Sequence, residues 1–254
     1  MMLLLAVGLI FLHMLLIWGW YLYRGNPSVV DVGWATGLTV VGFFYLYSHP
    51  LSCRSIALSL LLLFWGARLG LYLWLTRIYH GKIDERYLSL SAKWKMNKPL
   101  GFLLNFQFQG FLILMVSLPW YFISISANQH LSGLDYFAFF LALLSISLET
   151  IADRQLQQFK KNHPGKLCDT GLWHFSRHPN YFFEWLTWCC FAMLAFTSPF
   201  GVLALISPVM LYFLMTKVTG PMTEAQSIKS KKKAYLAYQK STPMFFPKLF
   251  EKNK

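Results

Sequence analysis

Apolar residues in this chain come in long runs. They do not follow the alternating or one-face patterns of a water-soluble fold. The runs cover 1–23, 29–48, 53–76, 100–126, 134–152, 180–197 and 199–217. Most are close to the ~20 residues a helix needs to cross a ~30 Å hydrocarbon core. Lipid offers the backbone no hydrogen bonds, so spanning segments of this length are helices. The pattern predicts an all-α polytopic membrane protein of about seven transmembrane helices. Only Ser198-Pro199 separates the last two runs, and a tight hairpin there gives both a workable length. Met1 to Tyr23 has no basic leader residues before its apolar run and is expected to be a retained span.

The basic residues give the orientation. Between the third and fourth runs lie Arg77, Lys82, Arg86, Lys93, Lys95 and Lys98. Between the fifth and sixth lie Arg154, Lys160, Lys161, Lys166 and Arg177, and nine more follow from Lys217 onward. Arg24 follows the first run, and the connections on the opposite side carry at most Arg54. Basic loops stay in the cytoplasm. Seven spans then place the N-terminus outside and the C-terminus in the cytoplasm.

Composition agrees. Charged residues make up 13% of the chain and mean hydropathy is +0.44, against about 25% charged residues in soluble domains. The net charge of +13 sits between apolar runs, which points to membrane lipid as a partner and excludes nucleic acid. The cysteines form no C-x-x-C pair, and no metal site is expected. Without a repeat or linker, residues 1–254 read as a single membrane domain, with 219–254 a basic cytoplasmic tail.

Polar groups within or beside the spans carry the chemistry, because a charge in the bilayer is costly unless partnered. Asp31 lies three residues after Ser28, which fits either a capping box or a site role. Arg68 lies inside the third run and calls for a carboxylate partner. Asp84-Glu85-Arg86-Tyr87 reads as a solvated loop. One of Gln107 and Gln109 is expected to bond between helices. Glu149 and Asp153, four apart, are either a solvated helix end relieved by Arg154 or a pair of acceptors for ligand hydroxyls, with Lys160 facing an anion. Pro179 suits the first residue of a helix. Arg177 and His178 just before it would complete an anion site at a free helix N-terminus. Asn180, Glu184 and Trp188 fall one turn apart on one stripe, with Tyr181 beside it. The tail adds Glu224, Tyr235 and Tyr238.

Several motifs together resemble the steroid 5-alpha-reductase superfamily, in particular a bacterial branch catalogued as a domain of unknown function. They are Asp31-Val-Gly-Trp34, Asp84-Glu-Arg-Tyr87, Glu149-Thr-Ile-Ala-Asp153, Gly171-Leu-Trp, Arg177-His-Pro-Asn-Tyr181 through Glu184, and Tyr235-x-x-Tyr238 before Phe246-Pro247. The similar region is about 31–247. The resemblance implies a seven-helix reductase that holds NADPH in a cytoplasm-facing pocket. It places Asp153, Lys160, Asn180, Tyr181 and Glu184 at the cofactor. The position of Glu149 is an amide in some relatives. Arg177, His178, Glu224 and Tyr238 are counted with the cofactor-binding set. The second-helix motif that carries the catalytic glutamate of the steroid enzymes is absent, and Asp31 occupies a broadly similar place.

Three functions remain open at this point. One is an NADPH-dependent reductase of a conjugated C=C bond in a hydrophobic, lipid-like or steroid-like substrate. Its catalytic candidates are Tyr87 and Asp31, the latter if burial protonates it, donating to the developing enolate oxygen. The second is an S-adenosylmethionine-dependent methyltransferase of the isoprenylcysteine or phospholipid type. Such enzymes share Arg-His-Pro-x-Tyr but usually carry a Glu-Glu pair where this tail has Glu224-Ala225. The third is a non-catalytic lipid-binding membrane protein. The branch resemblance places the chain in a bacterial inner membrane.

Overall fold

The computed structural model describes residues 1–81, 83–126, 128 and 130–248. Lys82, Lys252 and Lys254 of the charge pattern lie outside the described residues. About 78% of the protein is helix, without a strand among the described residues. Internal contacts group the described chain into two compact units, 1–136 with 192–207 and 137–191 with 208–254.

The first unit contains α1 (Met2–Arg24), α2 (Val29–Leu46), α3 (Cys53–Leu73, continuing as a π-helical turn Trp74–Tyr79), α4 (Glu85–Ser91), α5 (Lys98–Val116) and α6 (Leu118–Ser124). α1 is apolar all round but buries only one stripe, Ala6, Ile10, Met14, Ile17 and Tyr21. Leu4, Phe11, Leu12 and Leu16 on its other faces are exposed. An apolar surface of this kind suits a helix that lies against lipid. The helix stops at Gly25, whose φ of 65° is left-handed and whose N–H bonds the Tyr21 carbonyl at 2.8 Å.

α2 is the packing centre of this unit and meets α1, α3, α5 and α6. Small residues allow the close approach. A Cβ on Gly33 would stand 2.9 Å from Ile17, and one on Gly37 would stand 2.9 Å from Ile113. His13 Nε2 lies 2.9 Å from the Gly33 carbonyl oxygen and adds a polar tie between α1 and α2. Between α1 and α5, Gln107 Nε2 donates to the Phe11 carbonyl at 3.4 Å, the interhelical bond expected of one glutamine. The 100–126 run is not one helix. It breaks at Ser117 because Pro119 has no N–H to continue the ladder and its ring crowds the carbonyl four residues back.

The second unit holds most of α7 (Gly133–Asn162), then α8 (Leu172–Phe175), most of α9 (Pro179–Leu194), most of α10 (Ile206–Phe213), a π-helical turn (Leu214–Thr219) and α11 (Gly220–Ser241). α7 runs ten residues past the expected end at 152, so Glu149, Asp153 and Lys160 ride on one helix. α9 starts at Pro179, as its fixed φ and missing N–H favour. After α9 the chain turns through Phe200, at a φ of 55°, into Gly201. A Cβ on Gly201 would meet the Ala195 carbonyl oxygen at 1.9 Å, so only glycine closes this turn.

Among the described residues, six helices are long and apolar enough to cross a membrane: Met2–Arg24, Val29–Leu46, Cys53–Tyr79, Lys98–Val116, Gly133–Asn162 and Gly201–Ser241. The remaining expected span corresponds to α9, which has 16 residues, or about 24 Å at 1.5 Å per residue. The protein is an all-helical polytopic membrane protein.

Candidate functional site

The sequence candidates fall into two groups, one in each unit. Asp31 and Tyr87 come together in the first. The Tyr87 hydroxyl donates to Asp31 Oδ1 at 2.8 Å. Arg77 Nη1 donates to Asp31 Oδ2, and Arg86 Nη2 reaches the same oxygen at 3.4 Å. Arg86 also grips Asp84 through Nε and Nη2, both at 2.9 Å. The four-residue motif is therefore not a solvated loop. Asp84 caps α4 by accepting from the Arg86 N–H, and Tyr87 is 7% exposed against Phe102.

Of the two readings open for Asp31, the capping box with Ser28 does not form. The Ser28 hydroxyl accepts from the Asp84 N–H at 2.8 Å instead, while Asp31 turns to the two arginines. This corrects the role of Asp31. A carboxylate held by two guanidinium groups is an acceptor, so the donor of this group is Tyr87. Burial pushes the Tyr87 phenol above its ordinary value, which keeps its proton in place.

Asp84 gives a pH test. Burial pushes its carboxyl up, but hydrogen bonding and charge from Arg86, with Arg77 behind, hold it below the usual carboxylate range. Its contribution to stability is fully present above about pH 4, the ordinary carboxyl value. It is lost as pH falls through the lower folded value. The wild type should therefore melt above Asp84→Asn at neutral pH, and the gap should close on acidification. A gap undiminished at pH 3 would contradict this account of Asp84.

In the second unit, Glu149, Asp153 and Glu184 are all buried, with exposures of 4%, 3% and 8%. The solvated reading of the Glu149/Asp153 pair is therefore excluded, while Arg154 points to solvent. Asn180 Nδ2 donates to Asp153 Oδ1 at 3.2 Å, and Asn180 Oδ1 is buried without a hydrogen bond among the described residues. One turn on, Glu184 Oε1 accepts from Trp188 Nε1 at 3.0 Å, so the expected stripe on α9 is real. The Gly171-Leu-Trp motif ties this region together. Trp173 Nε1 donates to the Ala152 carbonyl at 2.9 Å, and the Leu172 N–H donates to Gln155 Oε1 at 2.9 Å. Gly171 has a φ of 61°, and a Cβ there would meet the Gln155 side chain at 2.7 Å. Lys160 and Lys161 are exposed on the same helix as the carboxylates.

Arg177 and His178 do not stand open before α9. Arg177 forks onto Glu224 through Nε at 2.7 Å and Nη2 at 3.2 Å, and its Nη1 donates to the Thr242 carbonyl at 2.6 Å. His178 Nε2 lies 3.2 Å from Glu224 Oε1, and the His178 ring stacks on Tyr181 at 4.9 Å. The Tyr238 hydroxyl donates to the Trp173 and Ser176 carbonyls. These residues dock α11, the last helix among the described residues. The free anion site expected at this helix start is filled by Glu224.

Sequence reasoning missed a buried ion pair. Arg54 Nη2 donates to Asp135 Oδ1 at 2.9 Å with side-chain exposures of 2% and 1%. In the sequence pattern Arg54 reads only as a topology charge. The signal for the pair is that Arg54 and Asp135 each stand as a lone charge at the start of a long apolar helix, next to an uncharged stretch.

The family described as "Protein of unknown function (DUF1295)" matches residues 17–242. A protein of Schizosaccharomyces pombe (strain 972 / ATCC 24843), described as "Uncharacterized protein C594.04c", is 25% identical over 280 residues, covering 96% of this chain and 80% of the relative. That relative is from fission yeast, so the bacterial branch does not follow from it. No solved structure matches. The chain belongs to the DUF1295 family, a steroid 5-alpha-reductase-like group.

Proposed function

We propose that the protein is an NADPH-dependent membrane reductase of a conjugated C=C bond in a hydrophobic substrate. The observation that carries this reading is Asn180. Its Nδ2 is tied to Asp153 while its Oδ1 is buried without a hydrogen bond among the described residues. A buried acceptor left unsatisfied costs about 1–3 kcal/mol, and a ligand N–H or O–H would remove that cost. NADPH brings such donors in its carboxamide and ribose hydroxyls. Glu149, Asp153 and Glu184 supply further buried acceptors, and Lys160 on α7 supplies a cation for phosphate. The residues present fit the cofactor in this way. Arg177, His178, Glu224 and Tyr238 support the site by fixing the start of α9 and do not hold phosphate.

When bound, NADPH supplies a hydride. The chain must then stabilise charge that develops on the substrate oxygen. Tyr87 is the proposed donor, and Asp31 orients its hydroxyl at 2.8 Å. The proposed orientation keeps the N-terminus outside and the C-terminus in the cytoplasm, with a bacterial inner membrane as the proposed location.

NADPH should bind the detergent-purified chain saturably and be oxidised with an enone substrate. Asn180→Ala and Glu184→Gln should each weaken NADPH binding about tenfold or more, since one lost hydrogen bond to a buried partner is worth about 1–3 kcal/mol. Tyr87→Phe should lower turnover with little change in NADPH affinity. Wild-type NADPH affinity in both cofactor-group variants would contradict the site.

A second reading has one observation in its favour. Three buried carboxylates in one unit also suit a cationic ligand, and S-adenosylmethionine carries a sulfonium and an ammonium. Thermal stabilisation by S-adenosylmethionine and none by NADPH would select a methyltransferase.

A further inference from the structure

The first unit has a second polar feature at the far end of α2 from Asp31. Asp31 and Leu46 are about 22 Å apart along that helix at 1.5 Å per residue. At the Leu46 end a cavity of about 140 Å³ lies between the α2–α3 turn and the segment after α6, lined among others by His49, Ser52, Arg54, Ser55, Ser124 and Asn128. The sequence stretches 47–52 and 125–132 contain no Asp, Glu, Lys or Arg.

Arg54 is 2% exposed and is held on one edge only. Its Nε and Nη2 donate to Asp135 Oδ1 at 3.2 and 2.9 Å, and Nη2 also reaches the Leu194 carbonyl at 2.6 Å and Thr197 Oγ1 at 3.1 Å. Nη1 makes no hydrogen bond among the described residues, and it is not one of the atoms sealed in the interior. It is the edge that remains for the cavity. The 21-residue α3 also begins here. Ser52 Oγ accepts the Ser55 N–H, and no intrahelical acceptor exists for the N–H groups of Cys53 and Arg54. A helix start, a buried guanidinium edge and several hydroxyls therefore face one small cavity.

We propose that this cavity binds a phosphate group. The helix N-terminus and the guanidinium edge both favour an anion, and the hydroxyls suit its several oxygens. At about 30 Å³ per water, the cavity has room for about four or five waters. That is room enough for one phosphate. The phosphate comes from a lipid headgroup or from free phosphate ion.

Thermal unfolding of the detergent-purified full chain distinguishes these sources. The probes are inorganic phosphate against chloride at equal ionic strength, and short-chain phosphatidic acid against short-chain diacylglycerol. A saturable rise in melting temperature with inorganic phosphate identifies the free ion, and a rise with phosphatidic acid alone identifies the headgroup. No rise with either overturns the proposal. Ser124→Asp puts a carboxylate at the cavity wall and removes only a bond to the Tyr121 carbonyl of its own helix. It should melt near wild type in chloride and lose the rise. The double variant Arg54→Met/Asp135→Leu removes the guanidinium without leaving a lone charge, and should lose the rise as well. A rise retained in both variants overturns the assignment.

Discussion

Asp135→Ala should destabilise the detergent-purified chain by about 3–5 kcal/mol, the usual effect of removing one partner from a buried ion pair. Arg54 is 2% exposed, and two of its hydrogen bonds end on Asp135 Oδ1. Without that carboxylate the guanidinium keeps only the Leu194 carbonyl and Thr197 Oγ1 as described acceptors, and its charge stays buried. Asp135 Oδ2 also accepts the Ser132 N–H at 2.8 Å, so the start of α7 loses its anchor too. The double variant Arg54→Met/Asp135→Leu should recover most of the loss, because replacing both charges leaves none unpaired. Unfolding midpoints of the single and double variants check this. A single variant within about 1 kcal/mol of wild type would mean that water reaches the pair.

Glu224→Ala should release α11. Arg177 Nε and Nη2, His178 Nε2 and Gln239 Nε2 all converge on this one carboxylate, the last at 2.6 Å. Removing it strands the Arg177 guanidinium, whose side chain is 10% exposed. A loss of about 3 kcal/mol raises local opening roughly a hundredfold. The readout is trypsin cleavage at Lys229 and Lys231 to Lys233, where the helix is already kinked at Lys231. Cleavage should accelerate strongly in Glu224→Ala and less in Glu224→Gln, which keeps an acceptor. Cleavage at the wild-type rate in both would show that Glu224 does not hold the tail.

The fold was largely legible because each span announces itself locally. Hydropathy marked the helices, and Pro179 marked the start of α9. Pro119 carries a break signal of its own, but hydropathy alone hides it because the run is apolar on both sides. The sites were legible only in part. The i, i+4 spacing puts Asn180, Glu184 and Trp188 on one face, and the bond from Trp188 to Glu184 follows that reading. Pairings across long separations left no such trace. Nothing local says that Arg177 meets Glu224, 47 residues away, or that Arg54 meets Asp135, 81 residues away. Ser28 misled for the same reason. Its local spacing fits a capping box, but a tertiary donor, the Asp84 N–H, took its hydroxyl.

The most direct test of the central claim is a paired titration of the detergent-purified chain with NADPH and S-adenosylmethionine, followed by thermal unfolding, in wild type and Asn180→Ala. The account predicts a saturable melting-temperature rise with NADPH, little with S-adenosylmethionine, and a loss of the NADPH effect in Asn180→Ala. A rise with S-adenosylmethionine alone, or an NADPH effect unchanged by Asn180→Ala, would contradict it.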